Sequence, residues 1–269
     1  RRIARHREGA VNVACGAASF LPVFALNAAL TLNLMYALYD VRLFDVGQSA
    51  WAWVGAYVAY DLASFVVHLA SHKVRLLWIF HSVHHAPEEM KASVSFRGSL
   101  GDFLITPHTT LWLPLLGFHP LMIVVVEGLG LLWGVALHMS EDTLRRPGPR
   151  WLGLALITPA LHRVHHGRNG LYLDTNYGLT LSLWDRLCGT FQAPMPEEPV
   201  AYGLVDPHAT DRFIPSQMAA LDALRADLRA ADGWRERLGY LFRAPGWRPG
   251  GGGKTARALR AEALSELAR

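Results

Sequence analysis

Residues 11–39, "VNVACGAASFLPVFALNAALTLNLMYALY", run for 29 positions without a charged side chain. A stretch of this length can cross a hydrocarbon core of roughly 30 Å. In lipid it must satisfy its backbone internally, which restricts it to helix here. A second apolar stretch, 50–72, carries a single acid, Asp61. A third and a fourth lie in "DFLITPHTTLWLPLLGFHPLMIVVVEGLGLLWGVALHM", residues 102–139, interrupted by "GFHP" at 117–120. Gly and Pro in that order read as a break between two helical arms of a hairpin, each too short to be a certain full span. The expected fold class is therefore all-α: an integral membrane protein with about four membrane-embedded helices and a cytosolic helical domain. The mean hydropathy of +0.17 and the 51% hydrophobic content suit a membrane protein with a sizeable water-exposed part. The first apolar run is too long for a cleavable signal peptide, and none is expected.

Orientation follows from basic residues at the membrane ends. The N-terminal "RRIARHR", then Lys73, Arg75, Lys91 and Arg97, then "LRRPGPR" at 144–150 fall on one side after an even number of crossings. That side is expected to be cytosolic, in a bacterial inner membrane. The net charge of +4 and a pI near 9.3 fit an anionic membrane surface. The cations form no block interleaved with aromatics, so nucleic acid is not an expected partner. Two cysteines, Cys15 and Cys188, exclude a cysteine-held iron–sulfur cluster and make a disulfide framework unlooked-for. Residues 1–199 are expected to form the membrane-embedded catalytic domain. Residues 200–269 carry amphipathic helices that either lie on the membrane or pack on the cytosolic domain. The stretch "PGGGGKT" resembles a phosphate loop only superficially. The position six before its Lys is Arg248, not Gly, so it reads as a flexible linker.

Thirteen histidines are unevenly spread. His68 and His72 form H-x-x-x-H. His81, His84 and His85 form H-x-x-H-H, and His162, His165 and His166 repeat it. On a helix, residues three and four apart share a face with Cβ atoms about 5–6 Å apart, so two imidazoles reach one ion. Ordinary scattered histidines do not repeat such a pattern. Eight imidazoles exceed the four to six positions of one first-row ion, so two ions are the simple expectation. Imidazole suits iron, zinc, copper and nickel alike, and a hydrolytic zinc pair stays open on spacing alone. His138 ends the fourth apolar stretch and is a candidate ninth ligand, with Asp142 one turn on. His108 and His119 are read as packing residues, and His6 and His208 as exposed. Asp61, two turns before His68, is a candidate to accept a hydrogen bond from a ligand histidine and fix its tautomer. Asp174 and Asn176 are candidates for the same work. Glu127, mid-helix in the fourth stretch, has an open role in a substrate cavity or in helix packing.

"YDLASFVVHLASHKVRLLWIFHSVHHAPEEM" and "TPALHRVHHGRNGLYLDTNYGLTLSLWDRLCGTF" resemble the two signature regions of the fatty acid hydroxylase/sterol desaturase superfamily, over roughly residues 50–195. The resemblance implies a membrane-embedded non-haem di-metal oxygenase using iron, with its histidine boxes on the cytosolic face. It implies as ligands His68, His72, His81, His84, His85, His162, His165 and His166, with His138 matching a less regular intermediate histidine. The first box often reads His-Arg in this superfamily, and here Leu69 follows His68. The expectation is an O₂-dependent hydroxylase or desaturase with two iron ions, O₂ as co-substrate, and zinc as an occupant of purified samples. Its substrate would be a lipid: a fatty acyl chain, an alkyl lipid, a sterol or a carotenoid. The chain has no G-x-G-x-x-G, haem-attachment or iron–sulfur motif. Electrons are thus expected from a separate donor, whether a reductase, a ferredoxin or a cytochrome b5-like protein. The alternatives are a zinc-dependent membrane hydrolase and a non-enzymatic metal transporter or sensor.

Overall fold

The computed structural model describes residues 2–26, 30–143, 151–206 and 211–269. The basic stretch 144–150 and His208 lie outside the described residues. Among the described residues eleven α-helices follow in chain order: α1 Arg2–Leu26, α2 Leu32–Asp40, α3 Ala50–Lys73, α4 Arg75–His85, α5 Pro120–Leu137, α6 Leu152–Ala155, α7 Pro159–His165, α8 Leu183–Cys188, α9 Phe213–Ala230, α10 Trp234–Phe242 and α11 Ala256–Leu267. No strand occurs among the described residues, only isolated bridges.

Two of these helices, α3 and α5, are long and apolar enough to cross a membrane. At 1.5 Å per residue their 24 and 18 residues reach about 36 Å and about 27 Å. Ser49 caps α3 by accepting from the Ala52 N–H at 3.2 Å. His119 caps α5, its Nδ1 accepting from the Leu121 N–H at 3.2 Å, and Pro120 opens the helix where no N–H is needed. Their inner faces meet in a cluster of Ala52, Ala56, Tyr60, Met122, Ile123 and Val126. Their outer faces expose Val54, Val58, Val66, Val125, Leu129 and Leu132. In water such a surface would be a large unpaired apolar patch; in lipid it meets its own solvent.

The two helices run in the same direction. Phe118, just before α5, lies against Gly55 near the start of α3, and the two C-terminal ends carry His72 and His138, one in each of the two histidine groups. A return path must therefore lie between them, and the sequence expectation of a helical arm there is corrected. Residues 92–116 fold as successive 3₁₀ turns, at 92–96, 102–104, 106–109 and 113–116. Pro107 and Pro114 each remove an amide donor and clash with a preceding α turn. Gly117 closes the path with φ +101, its Cα pressed on the Phe44 carbonyl where a Cβ would not fit.

The first apolar run is described on either side of residues 27–29, which lie outside the described residues. α1 begins at Arg2 and ends at Leu26, and α2 starts at Leu32. The first half of α1 turns a polar face inward: Glu8, Asn12 and Cys15 are buried, and Asn12 donates to Ser93 Oγ at 3.1 Å. Both cysteines are free.

The C-terminal helices pack on the protein. Ile79 of α4 shares a cluster with Leu224 and Ala231 beside α9 and Tyr240 of α10. Arg75 pairs with Asp227 at 2.6 Å. Arg260 of α11 reaches the Leu171 carbonyl and, at 2.9 Å, Gln192. The glycine-rich stretch is a closed return: at Gly246, φ +79, an added Cβ would strike the Lys254 carbonyl.

Candidate metal centre

The helices carry these histidines toward their C-terminal ends or at their caps. His68 and His72 lie on α3, and His81, His84 and His85 on α4. His138 is the C-terminal cap of α5, while α7 supplies His162 and His165 with His166 as its cap. Thr158 starts α7 by accepting from the Leu161 N–H, and Pro159 fixes its first turn. The nine imidazoles sort into two groups. One holds His68, His72, His81, His85 and His165; the other holds His84, His138, His162 and His166. Within each group the ligand nitrogens lie within 4.8 Å of one another.

The spacing of the nitrogens fits metal ligation. In the first group, Nε2–Nε2 separations are 3.2 Å for His81–His85 and 3.2 Å for His85–His165. In the second they are 3.1 Å for His84–His138, 3.0 Å for His138–His162 and 3.2 Å for His162–His166. Metal–nitrogen bonds of about 2.0–2.1 Å give ligand edges of roughly 2.9 Å at right angles and roughly 3.4 Å at tetrahedral angles. The observed separations fall between.

The tautomers sharpen this. His84 Nδ1 donates to the Arg97 carbonyl at 3.2 Å and His138 Nδ1 to the Gly134 carbonyl at 2.7 Å. A carbonyl has no proton to give, so each Nδ1 carries the hydrogen and each Nε2 is a bare lone pair. Two lone pairs then face each other at 3.1 Å. Protonation does not relieve this, because burial holds His84 far below the ordinary imidazole range and His138 at about 4. A cation between them does. The other group has the same orientation at His68, bonded to the Tyr177 carbonyl at 2.7 Å, and His165, bonded to the Thr175 carbonyl at 2.7 Å. His68 Nε2 and His72 Nε2 are buried with no hydrogen-bond partner. The residues present fit a pair of imidazole-bound ions.

Asp61 does not touch an imidazole among the described contacts. It accepts from the Thr180 N–H at 2.8 Å, the Leu181 N–H at 3.2 Å and Trp184 Nε1 at 2.8 Å. Its spacing from His68 puts it on the right helix face, but the chain at 180–184 fills the space above it. Asn176 likewise bonds the Leu161 and Gln192 carbonyls and the Gln192 N–H. Only Asp174 approaches a ligand, 3.7 Å from His72 Nδ1, and it also pairs with Lys73. Burial alone would raise its pKa; His72 and Lys73 outweigh that and hold its carboxyl low. Asp174 and Asn176 have φ of +59 and +54, a left-handed pair that aims the Thr175 carbonyl between them at His165.

Two residues that the sequence does not mark as part of the site complete the support, Arg97 reading there only as a basic flank. Asp185 is buried and accepts from the Tyr177 and Gly178 N–H groups, both at 2.8 Å, and from Thr190 Oγ1 at 2.6 Å. Arg97, 1% exposed, donates to the Val83 carbonyl at 3.0 Å and to Asn12 at 2.9 Å. Asp185 lies in the quoted "WDRLCGT" segment; Arg97 had no local pattern to mark it. His108 and His119 stay apart from the two groups. His108 accepts from Trp112 Nε1 at 3.1 Å, and His119 sits edge-on to Tyr36 and Tyr39 at the far end of α5.

Histidine clusters of this order on helix ends, beside two apolar helices, define a class that the comparisons match. The "Fatty acid hydroxylase" family model covers residues 53–190, and the chain belongs to that family, within the superfamily of lipid hydroxylases and sterol desaturases. Among individual relatives, it is 31% identical over 248 residues to alkylglycerol monooxygenase of Homo sapiens, covering 90% of this chain and 53% of the relative. It is 32% identical over 142 residues to ornithine lipid hydroxylase OlsE of Rhizobium tropici, covering 50% of this chain and 40% of the relative. A Delta(7)-sterol 5(6)-desaturase of Gibberella zeae is 25% identical over 188 residues, covering 65% of this chain and 55% of the relative. The chain spans about half the length of the alkylglycerol monooxygenases it matches. No solved structure matches.

Proposed function

We propose that this protein is an O₂-dependent lipid hydroxylase whose nine clustered histidines hold two iron ions. The observation that carries the reading is the facing of lone-pair nitrogens in two separate groups, five and four, at metal-ligand edge distances. Iron bound there would supply the two-electron activation of O₂ needed to attack an unactivated C–H bond. The protein's own part is positional. Backbone carbonyls of Arg97, Gly134, Thr175 and Tyr177 hold the imidazole tautomers that leave Nε2 free. Asp61, Asp185 and Asn176 brace the 174–185 segment that carries two of those carbonyls, and Asp174 acts on His72 directly. Burial of the imidazoles keeps water from the reacting carbon. The similarity to alkylglycerol monooxygenases over most of this chain favours hydroxylation of an alkyl ether lipid over desaturation.

Residues 1–199 would form the catalytic unit, α3 and α5 crossing a bacterial inner membrane with the histidine ends cytosolic, and residues 200–269 would cover it. A separate reductase, ferredoxin or cytochrome b5-like donor would supply electrons. The test is O₂ uptake by iron-loaded protein in lipid nanodiscs with a reducing system, with alkylglycerol, fatty acyl and sterol substrates and product detection by mass spectrometry. Lipid-dependent O₂ uptake with a hydroxylated product is expected. Zinc-dependent hydrolysis without O₂ uptake, or metal transport without either, would replace this reading.

A further inference from the structure

A cavity of about 240 Å³ lies between the first histidine group and the C-terminal helices. On one side it is bordered by His72, His85 and His165, with Trp78 and Ile79 of α4. Its lining also includes Ala219, Ala220 and Ala223 of α9 and Leu259 of α11. His72 is 7% exposed, and its Nε2 has no hydrogen-bond partner. The three alanines are one, three and four residues apart, so they fall on one side of α9, the side that lines the cavity. Larger side chains at those positions would fill the space.

The geometry points to this cavity as the seat of a single acyclic alkyl chain, laid along the alanine face of α9 with a methylene brought to the histidines. Three features set the ligand class. The lining that α9 and α11 contribute is aliphatic, Ala219, Ala220, Ala223, Ala256 and Leu259, while Arg75, Asp206 and Lys254 add charge to the cavity border. The volume is below the roughly 300–1,000 Å³ of pockets that enclose drug-sized ligands, so it admits a chain segment and not a fused-ring body. Beside the cavity α4 and α9 pack together, with Ala220 and Leu224 of α9 in one cluster with Ile79 of α4, so side-chain size on this part of α9 sets the space left next to the histidines. Ala220 and Ala223 are thus specificity-determining residues, and the C-terminal segment is part of the substrate site. This rests on the lipid-hydroxylase reading for its chemistry, not for its location.

The test uses full-length, metal-loaded protein in nanodiscs and three photo-crosslinking probes: a diazirine-bearing alkylglycerol, a diazirine-bearing fatty acid and a diazirine-bearing sterol. Labelled peptides are mapped by mass spectrometry. The alkylglycerol probe, the fatty acid probe or both should label residues 219–223 or 256–259, and which of them does so identifies the source of the chain. The sterol should not label there. Ala223→Phe should cut that labelling at least tenfold while the metal content stays at the wild-type value. Labelling confined to α3 and α5, no labelling by either acyclic probe, sterol labelling at the same peptides, or full labelling of a metal-replete Ala223→Phe would each overturn the proposal. Should Ala223→Phe lose its metal, the wild-type label map and Ala220→Leu decide. The two readings fail separately: cavity labelling without lipid-dependent O₂ uptake removes the hydroxylase reading alone, and turnover with labelling elsewhere removes this one alone.

Discussion

The two histidine groups are built from the same kinds of parts but held in different ways. The five-histidine group takes two of its orienting carbonyls from residues 175 and 177, in an irregular segment with two left-handed residues, and three of its members border the cavity. The four-histidine group is tied to the last turn of α5 through Gly134 and to the buried Arg97 junction through its carbonyl; only His166 reaches the cavity. A helix end holds a ring with little freedom, whereas a braced loop can be shifted by its supports. The four-histidine group is therefore the fixed site, and the five-histidine group is the adjustable one beside the cavity.

The largest effect should come from breaking the fixed site. His138→Ala removes a nitrogen with two neighbours at 3.0–3.1 Å. Bound metal should fall from near two toward one, and turnover should drop at least 10–100-fold, the loss that even an indirect partner of a ligand can cause. Both are read on one preparation by elemental analysis and product formation. Retention of both ions with full turnover would remove His138 from the site.

Next comes the adjustable site. Asp185→Asn replaces one accepting oxygen by an NH₂ group facing the donors at Tyr177, Gly178 and Thr190. The Tyr177 carbonyl should then lose its aim at His68, lowering metal affinity about tenfold at one ion only. Competition with a chelator resolves the two ions: one should leave faster than in the wild type, the other at the same rate. Equal loss of both would mean that the two groups share one support and the distinction is void.

A smaller, purely structural effect is expected of Arg97→Leu. It leaves the Val83 carbonyl and Asn12 Oδ1 without this donor inside the protein, at about 1–3 kcal/mol for each buried group. Thermal unfolding should register the loss, and the four-histidine group, next to Arg97, should lose metal before the other. The smallest effect belongs to His119→Ala, at the opposite end of α5 from His138. It removes a cap, costing about 0.5–2 kcal/mol, and should leave metal and turnover unchanged. Metal loss here would mean that α5 presents the wrong end to the site.

Much of the centre was legible because its ligands are local. Three- and four-residue spacings on a helix place imidazoles together whatever the rest of the chain does, so His81, His84 and His85 announce themselves. The division into five and four was not legible, since it depends on where the ends of α3, α4, α5 and α7 meet in space. Asp61 was recognisable as an acid in an apolar helix that needed a reason, but its partners, Thr180, Leu181 and Trp184, are some 120 residues away. The 102–116 stretch is apolar enough for a span, yet Pro107 and Pro114 divert it into 3₁₀ turns, a case where backbone chemistry overrides hydropathy. Arg97 read only as a basic flank, because its burial comes from distant partners, Asn12 of α1 and the Val83 carbonyl of α4.

The central claim is that there are two ions, one per histidine group. Elemental analysis of gently purified full-length protein, paired with amino-acid quantification, measures it directly. The account predicts close to two metal ions per chain in the wild type, iron when loading is native and zinc where overexpression supplies it, with His84→Ala falling toward one. A reproducible single ion in fully loaded wild-type protein would contradict it.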